Sequence, residues 1–295
     1  MAKKGKKATS KTKKKPASRS KDALAPLTAK TADRHALYQC AVQNVESEID
    51  FVDKQYHKIR GERARRLRED FCGTGQTSAE WVKRRRTNEA VGLDIDQPTL
   101  DWGTKHHPTY LDEDQIARLN LLNCDVLAPA AEAKDVDIVL AMNFSYWLFQ
   151  TRDAMRAYFA TVRESLGEGG LFFCDFYGGS EACSETEERR KCQLPDKRKY
   201  TYVWDQHKFN PITGEMHCRI HFEFPDGTLK KNAFTYTWRL WTLPEIRELL
   251  TEAGFKNVTV YWEGDDGDGG GNGVFKPTEK GSADPAYICY IVSEA

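Results

Sequence analysis

The chain has 295 residues, 40% of them hydrophobic and 30% charged, enough for one large core or two modest ones. Its formal net charge of zero divides unevenly: residues 1–33 hold eleven Lys/Arg against two Asp/Glu, a net +9, leaving thirty-three against forty-two, a net −9, for the rest. No window approaches about 18 uninterrupted apolar residues, which excludes a helical membrane span, and eight cysteines without a CxxC pair argue against a zinc ribbon or a disulfide scaffold.

The opening run "MAKKGKKATSKTKKKPASRSK" has no Val, Ile, Leu or aromatic residue after its first Met. A disordered basic tail is expected over residues 1–33. Such a tail solubilises or tethers the acidic body; a nucleic-acid contact through residues 1–30 is the less favoured reading. The run lacks the hydrophobic stretch that a secretory signal needs, so a cytoplasmic protein is expected, or a nuclear one if the lysines serve as an address.

From Asp33, apolar residues Leu37, Ala41, Val45, Ile49 and Val52 recur at helical spacing, with Gly61 as a stop. This gives an N-terminal helical cap over 34–61. "ARRLREDF" reads as a strand closing on a glycine turn, "QTSAEWVKRRRT" as a helix and "EAVGLDID" as a second strand. A helix starting near Pro98, a third strand in "IARLNLLNCDV", a fourth in "DVDIVLAMNFS", a helix in "DAMRAYFATVRESL" and a fifth strand in "GGLFFCDFYGG" follow. Apolar strands alternating with amphipathic helices predict an α/β, doubly wound, mostly parallel sheet covered on both faces.

The pattern changes after Gly179. "SEACSETEERRKCQLPDKRK" reads as a charged surface segment, followed by three strands in "YTYVWDQHKF", "GEMHCRIHFEF" and "KKNAFTYTWRLW". These predict an antiparallel β insertion over 180–240, after the fifth strand, lidding one end of the sheet. The main domain, 62–179 and 241–295, resumes with a helix capped at Thr242 and stopped at Gly254. Two last strands, "KNVTVYWEG" and "PAYICYIVSEA", bring the sheet to seven, joined by the glycine-rich loop "DDGDGGGNGVFKPTEKGSA". That loop does not alternate ligands as a calcium-binding EF-hand does.

Ligands of open α/β sheets bind at the carboxyl ends of the strands. Those ends carry Glu69 with Cys72, Gly73, Thr74 and Gly75, then Asp94, Asp125, Asn143 and Asp175. Acids at four of five consecutive ends are costly unless paired or solvated. Asp94 follows Gly75 by 19 residues, the spacing at which a carboxylate meets ribose hydroxyls. A dinucleotide fingerprint wants glycine where Ser78 stands, and has no need of Glu69 beside an anionic pyrophosphate. An acid facing the glycine turn suits a cationic amine.

These residues resemble the class I, Rossmann-like S-adenosylmethionine-dependent methyltransferases. "LREDFCGTG" is similar to that superfamily's acid-x-x-x-Gly-x-Gly motif, with Phe71 where a first glycine often stands; "VGLDID" and "LNCDVL" resemble its second and third motifs. The resemblance covers about residues 62–178 and the final helix and hairpin. It implies that Glu69 lies near the methionine end of the cofactor and organises the loop Cys72-Gly73-Thr74-Gly75. Asp94, beside Ile95, would bind the ribose; Asp125, beside Val126, the adenine. The implied activity is methyl transfer, with S-adenosylhomocysteine as product and no metal.

The acceptor is less marked. "NFSY" keeps only the outer residues of the Asn/Asp-Pro-Pro-Tyr pattern of methyltransferases acting on planar amines, leaving Asn143 and Tyr146 as candidate catalytic residues. His207 is a candidate base. Tyr146, Trp147, Tyr177 and Arg239 are candidate acceptor-binding residues; on "TYTWRLW", alternation puts Tyr236 and Trp238 on one face and Arg239 on the other. His217, Arg219, His221 and Glu223 share a strand face, read as exposed polar residues rather than a metal site. Tyr56 and Arg60 are candidates to close over the cofactor. The expected function is methylation of nitrogen or oxygen on a small-molecule acceptor in an aromatic-lidded cavity. The alternatives are a nucleic-acid or protein methyltransferase docking through the basic tail, a non-catalytic cofactor-binding domain and, disfavoured by Glu69 and Ser78, an NAD-dependent oxidoreductase.

Overall fold

The computed structural model describes residues 25–267 and 270–295. Two helices, α1 (Arg34–Val42) and α2 (Val45–Arg60), precede the alternating part of the chain. Asp33 caps α1 by accepting from the N–H groups of His35 and Ala36, and Gly61 ends α2 in the left-handed region at φ 76°. Then come β1 (Arg66–Asp70), α3 (Gln76–Arg84), β2 (Glu89–Asp94), α4 (Gln97–His106), α5 (Glu113–Ile116), β3 (Leu119–Asn123), β4 (Val136–Ala141), α6 (Arg152–Ser165) and β5 (Leu166–Gly178). Strands β6 (Thr186–Gln193), β7 (Lys199–Phe209), β8 (Glu215–Glu223) and β9 (Leu229–Arg239) form the insertion. The chain closes with α7 (Leu243–Glu252), β10 (Lys256–Asp265), β11 (Gly271–Pro277) and β12 (Tyr287–Glu294).

The main sheet runs β3-β2-β1-β4-β5-β12-β10-β11. The first five are parallel, and β12 enters antiparallel between β5 and β10. Two apolar layers cover it. Ile49 and Val52 of α2 and Ala79 and Val82 of α3 pack on one face; Tyr158, Phe159 and Val162 of α6 and Leu249 and Leu250 of α7 pack on the other. Eight strands form where seven were expected. The eighth, β11, lies inside the glycine-rich segment expected to be a loop, and Phe275 anchors it by packing 4.4 Å from the Tyr290 ring.

The insertion is one antiparallel sheet in the order β6-β7-β8-β9. It has four strands rather than three, because the charged segment "TEERRKCQ" pairs along its whole length with β7. Its side chains are mostly exposed, so no apolar alternation marks it. The expected disorder over 1–33 also needs correction. Leu27 and Ala32 are buried with Leu37 and Ala41 against Tyr200, Ile220 and Phe222 of the insertion sheet. The lysine-rich run before residue 25 lies outside the described residues. Among the described residues no helix is long and apolar enough to cross a membrane.

Candidate functional site

The carboxyl ends of β1, β2, β3 and β4, α1 and strand β9 enclose a cavity of about 790 Å³. Its floor begins at the glycine turn. Phe71, Gly73 and Gly75 all have positive φ (56°, 54° and 70°), so the turn needs the left-handed region three times within five residues. Gly92 lets β2 pass beside the turn: a Cβ there would sit 2.8 Å from the Cys72 sulfur. Asp94 ties the turn to β2, its Oδ2 accepting from Gly73 N–H and its Oδ1 from Asp96 N–H, each at 2.8 Å. Asp125 is exposed, and its Oδ1 accepts from Leu127 N–H at 2.9 Å.

Glu69 explains Ser78. Its Oε2 accepts from both the N–H (2.8 Å) and the hydroxyl (2.6 Å) of Ser78 in the first turn of α3. A carboxylate here satisfies a helix N-terminus that would otherwise hold an anion. Burial pushes the Glu69 carboxyl up to about 7, against the Ser78 bonds that favour its ionised form. Burial also lifts Asp175 and Glu48 to about 7. Glu48, on α2, has an Oε2 with no hydrogen-bond partner among the described residues.

At the end of β4, Asn143 and Phe144 are consecutive left-handed residues, at φ 58° and 56°. The Asp175 carboxylate accepts from both of their N–H groups, at 2.7 and 2.9 Å. This turn brings Asn143 to the cavity wall. Over it, α1 and β9 form a roof of Tyr38, Phe234, Tyr236 and Trp238, with Tyr236 and Trp238 stacked at 4.5 Å. Gln39 of α1 donates to the Thr74 hydroxyl at 2.8 Å and so fastens the roof to the turn.

Of the residues singled out from the sequence, Glu69, Cys72, Gly73, Thr74, Asp94, Ile95, Asp125, Val126 and Asn143 line this cavity. Gly75 is not among its lining residues and instead lies against Leu121 and His107. The acceptor-side candidates are elsewhere. Tyr146 is fully buried with its hydroxyl on the Asp175 carbonyl, because the 3-10 turn Ser145–Leu148 rotates it into the core. Trp147 is fully buried beside it, 5.4 Å from the Tyr177 ring, and the Tyr177 hydroxyl donates to Gln206 Oε1 at 2.6 Å.

Arg239 stacks 3.7 Å above the Trp241 ring and pairs with Glu245 at 3.0 Å; alternation carries it away from Tyr236 and Trp238. His207 is the unpaired residue at the register shift of β7, with Nδ1 3.8 Å from Asp205, and is not among the cavity's lining residues. Tyr56 is a core residue and Arg60 bonds Gly169 O and Glu294, so the end of α2 meets the start of β5, not the cavity. His217 faces Glu215, and His221 accepts from Asn232 N–H. Among the described residues no cluster of three or more His, Cys, Asp or Glu is placed to hold a metal ion.

Sequence reasoning missed Arg34, His35 and Tyr38 of α1 and the part played by Leu148 and Phe149. Arg34 and Tyr38 lie at i−3 and i+1 from the buried Leu37, beside the apolar stripe, so helical periodicity alone read this side of α1 as core. Ile95, Leu127 and Leu148 line the cavity while 77%, 41% and 45% exposed. Apolar residues left open at a cavity rim suit a flat organic ligand.

The strand order, the glycine turn and the acids at its flanks define a Rossmann-like methyltransferase domain. Residues 70–174 match the family model described as a methyltransferase domain. Solved structures of the same fold include an S-adenosylmethionine-dependent methyltransferase from Clostridium acetobutylicum (16% identity, TM-score 0.64, covering 88% of this chain and 96% of that one). An S-adenosylmethionine-bound amino pentose methyltransferase from Micromonospora echinaspora is similar at 16% identity and TM-score 0.63, over 88% and 95%. So is a sugar N-methyltransferase from Streptoalloteichus, at 13% and 0.61, over 95% and 98%. No curated protein sequence matches the chain. Over residues 70–174 the chain matches a methyltransferase domain, and its fold is that of these solved methyltransferases.

Proposed function

We propose that the chain methylates the nitrogen of a small amine in the cavity under β9. The observation that carries this reading is the make-up of the inner end: the aromatic roof of Tyr38, Tyr236 and Trp238 over Asn143, with the carboxyl of Glu69 in the wall. Aromatic faces and carboxylates both attract a cation or an amine about to become one.

The donor set fits S-adenosylmethionine. Asp94 has lone pairs left beyond its two N–H bonds to take ribose hydroxyls, and Asp125 stands at the rim with Ile95, Val126 and Leu127 to hold the adenine. Glu69, in the cavity wall at the glycine turn, would hold the amino end of the methionine. The cofactor supplies an electrophilic methyl on a sulfonium, so this chain's residues need mainly to position and dry the nucleophile. Asn143, in the cavity wall, would accept an amine hydrogen and orient its lone pair, while Tyr236 and Trp238 would exclude water. Two of the structural neighbours carry names that refer to amino or N-methylated sugars, which supports an amine of modest size.

Calorimetric titration with S-adenosylmethionine, S-adenosylhomocysteine and NAD tests the cofactor, followed by radiolabelled methyl transfer to panels of amines, carboxylic acids and phenols. Micromolar binding of the first two, weakened in Asp94→Ala, and label in the amines support the proposal. Preference for NAD, or label only in acids or phenols, overturns it.

A further inference from the structure

The two edges of the insertion sheet are built differently. β6 is blunted by Glu187, Glu188, Arg189, Arg190 and Lys191, the charged residues that keep edges from pairing with foreign strands. β9, at the other edge, reads Phe234-Thr-Tyr-Thr-Trp238 without a charge along the cavity. Its lysines, Lys230 and Lys231, and its register shift opposite Ile220 and Phe222 all sit at the far end.

Parity identifies the main-chain groups this edge leaves over. In an antiparallel pair each residue sends its N–H and C=O to one side, alternately toward the partner strand and away. Leu240 N–H donates to Gly214 O at 2.8 Å, and the same register continues through Trp238–Met216, Tyr236–Cys218 and Phe234–Ile220. Even-numbered residues therefore face β8, and Thr235 and Thr237 point their main chain outward. The Gln150 amide reaches Thr237 O from that open side at 3.2 Å, in agreement. The N–H and C=O of Thr235 and the N–H of Thr237 remain without a partner among the described residues. Both threonines are exposed and both line the cavity, with Leu148 and Phe149 also in its wall.

We propose that this edge binds the main chain of the acceptor: the substrate is a short, extended, peptide-like amide that adds to β9 as a further strand and turns its amino group in toward Asn143. The inference rests on the proposed amine methylation and narrows it. A donor and an acceptor on one residue, with a second donor two residues on, repeat at the spacing of an extended amide chain, about 6.6 Å. A sugar or a simple amine can take one of these groups; an amide strand takes all three. Alternate side chains of the added strand fall on the Tyr236 and Trp238 side, and the others face solvent.

The test uses the full chain, radiolabelled S-adenosylmethionine and a library of tripeptide amides, compared with the corresponding single amino-acid amides. The tripeptides should be methylated with kcat/KM about tenfold or more higher, the effect of one or two added main-chain hydrogen bonds. Methylating the backbone nitrogens of the best tripeptide should abolish the gain with the protein unaltered. Thr235→Pro, which removes an outward N–H where an edge tolerates proline, should do the same without weakening cofactor binding. Equal rates for single and tripeptide amides, indifference to backbone methylation, or no label in the library while the cofactor binds would overturn the inference. Sedimentation showing a dimer that Thr235→Pro dissociates would assign the edge to a second copy instead and also overturn it. Failure to bind S-adenosylmethionine would strike the proposed function itself.

Discussion

The Asp175 carboxylate holds two successive main-chain N–H groups, Asn143 at 2.7 Å and Phe144 at 2.9 Å, while both residues stand in the left-handed region. Left-handed geometry costs an ordinary residue roughly 1–2 kcal/mol, so the carboxylate offsets strain that presents Asn143 to the cavity. Asp175→Asn keeps the size but turns an NH2 toward one of the two donors. It should destabilise the fold by about 3 kcal/mol, the scale of a lost charge-assisted bond with a buried donor left unmet. Urea denaturation measures this. Phe144→Gly in the same background should recover about 1 kcal/mol by relieving strain; no recovery would mean that the pair is not strained.

Glu48 gives the pH prediction. Asp175 on β5, Glu69 on β1, Tyr38 on α1 and Tyr290 on β12 interact with it, and burial with the Asp175 charge lifts its carboxyl from the ordinary 4.5 to about 7. A raised carboxyl means that the native state holds its proton more tightly than the unfolded state. The stability it carries is therefore full below about pH 4.5 and is lost as the pH rises to about 7. Glu48→Gln keeps the buried shape without the charge. It should raise the melting temperature at pH 8, by up to about 3 kcal/mol of stability, and change it little at pH 4.5. Equal shifts at both values would show that Glu48 is not charged at pH 8 or not buried in solution.

The parallel half of the fold was legible because buried parallel strands are continuous apolar runs, and "EAVGLDID" and "DVDIVLAMN" end in the polar residues that mark the ligand side. What stayed hidden has local causes. β6 is charged on both faces, and β11 carries glycines and one anchoring Phe275. Tyr146 and Trp147 follow two left-handed residues, and no periodicity survives such a turn to say that they point into the core. Alternation did separate Arg239 from Tyr236 and Trp238, yet could not tell which face of β9 meets the cavity. That depends on α1, about 200 residues earlier in the chain, whose Tyr38 lies beside Phe234 at 4.8 Å.

Phe71 stands at φ 56° on the cavity wall, 5.6 Å from the Tyr158 ring and 6.2 Å from Phe149. Removing its ring costs packing in any variant, but glycine alone also removes the left-handed strain. Phe71→Gly should therefore be more stable than Phe71→Ala by about 1 kcal/mol. At most positions the order is the reverse, since glycine gains more entropy on unfolding. Chemical denaturation of the two variants decides it; alanine as the milder change would mean that the turn relaxes out of the left-handed region.

Gly103 offers the sharpest test of how the glycine turn is held. It lies in α4, where alanine ordinarily stabilises by about 1 kcal/mol. Here a Cβ would stand 2.2 Å from the carbonyl oxygen of Thr74 and 2.9 Å from its carbon. Those are backbone atoms, in a turn already fixed by Asp94 on Gly73 and by Gln39 on Thr74, so the contact cannot be relieved by a side-chain rotation. Either α4 or the turn must move, and steric overlap outweighs the helix preference. Gly103→Ala should lose about tenfold or more in S-adenosylmethionine affinity, about 1.4 kcal/mol, as the turn shifts under the ligand. Calorimetric titration beside a melting curve separates the two effects. Unchanged affinity with raised stability would mean that α4 stands farther from the turn in solution, and that the turn is held from β2 and α1 alone.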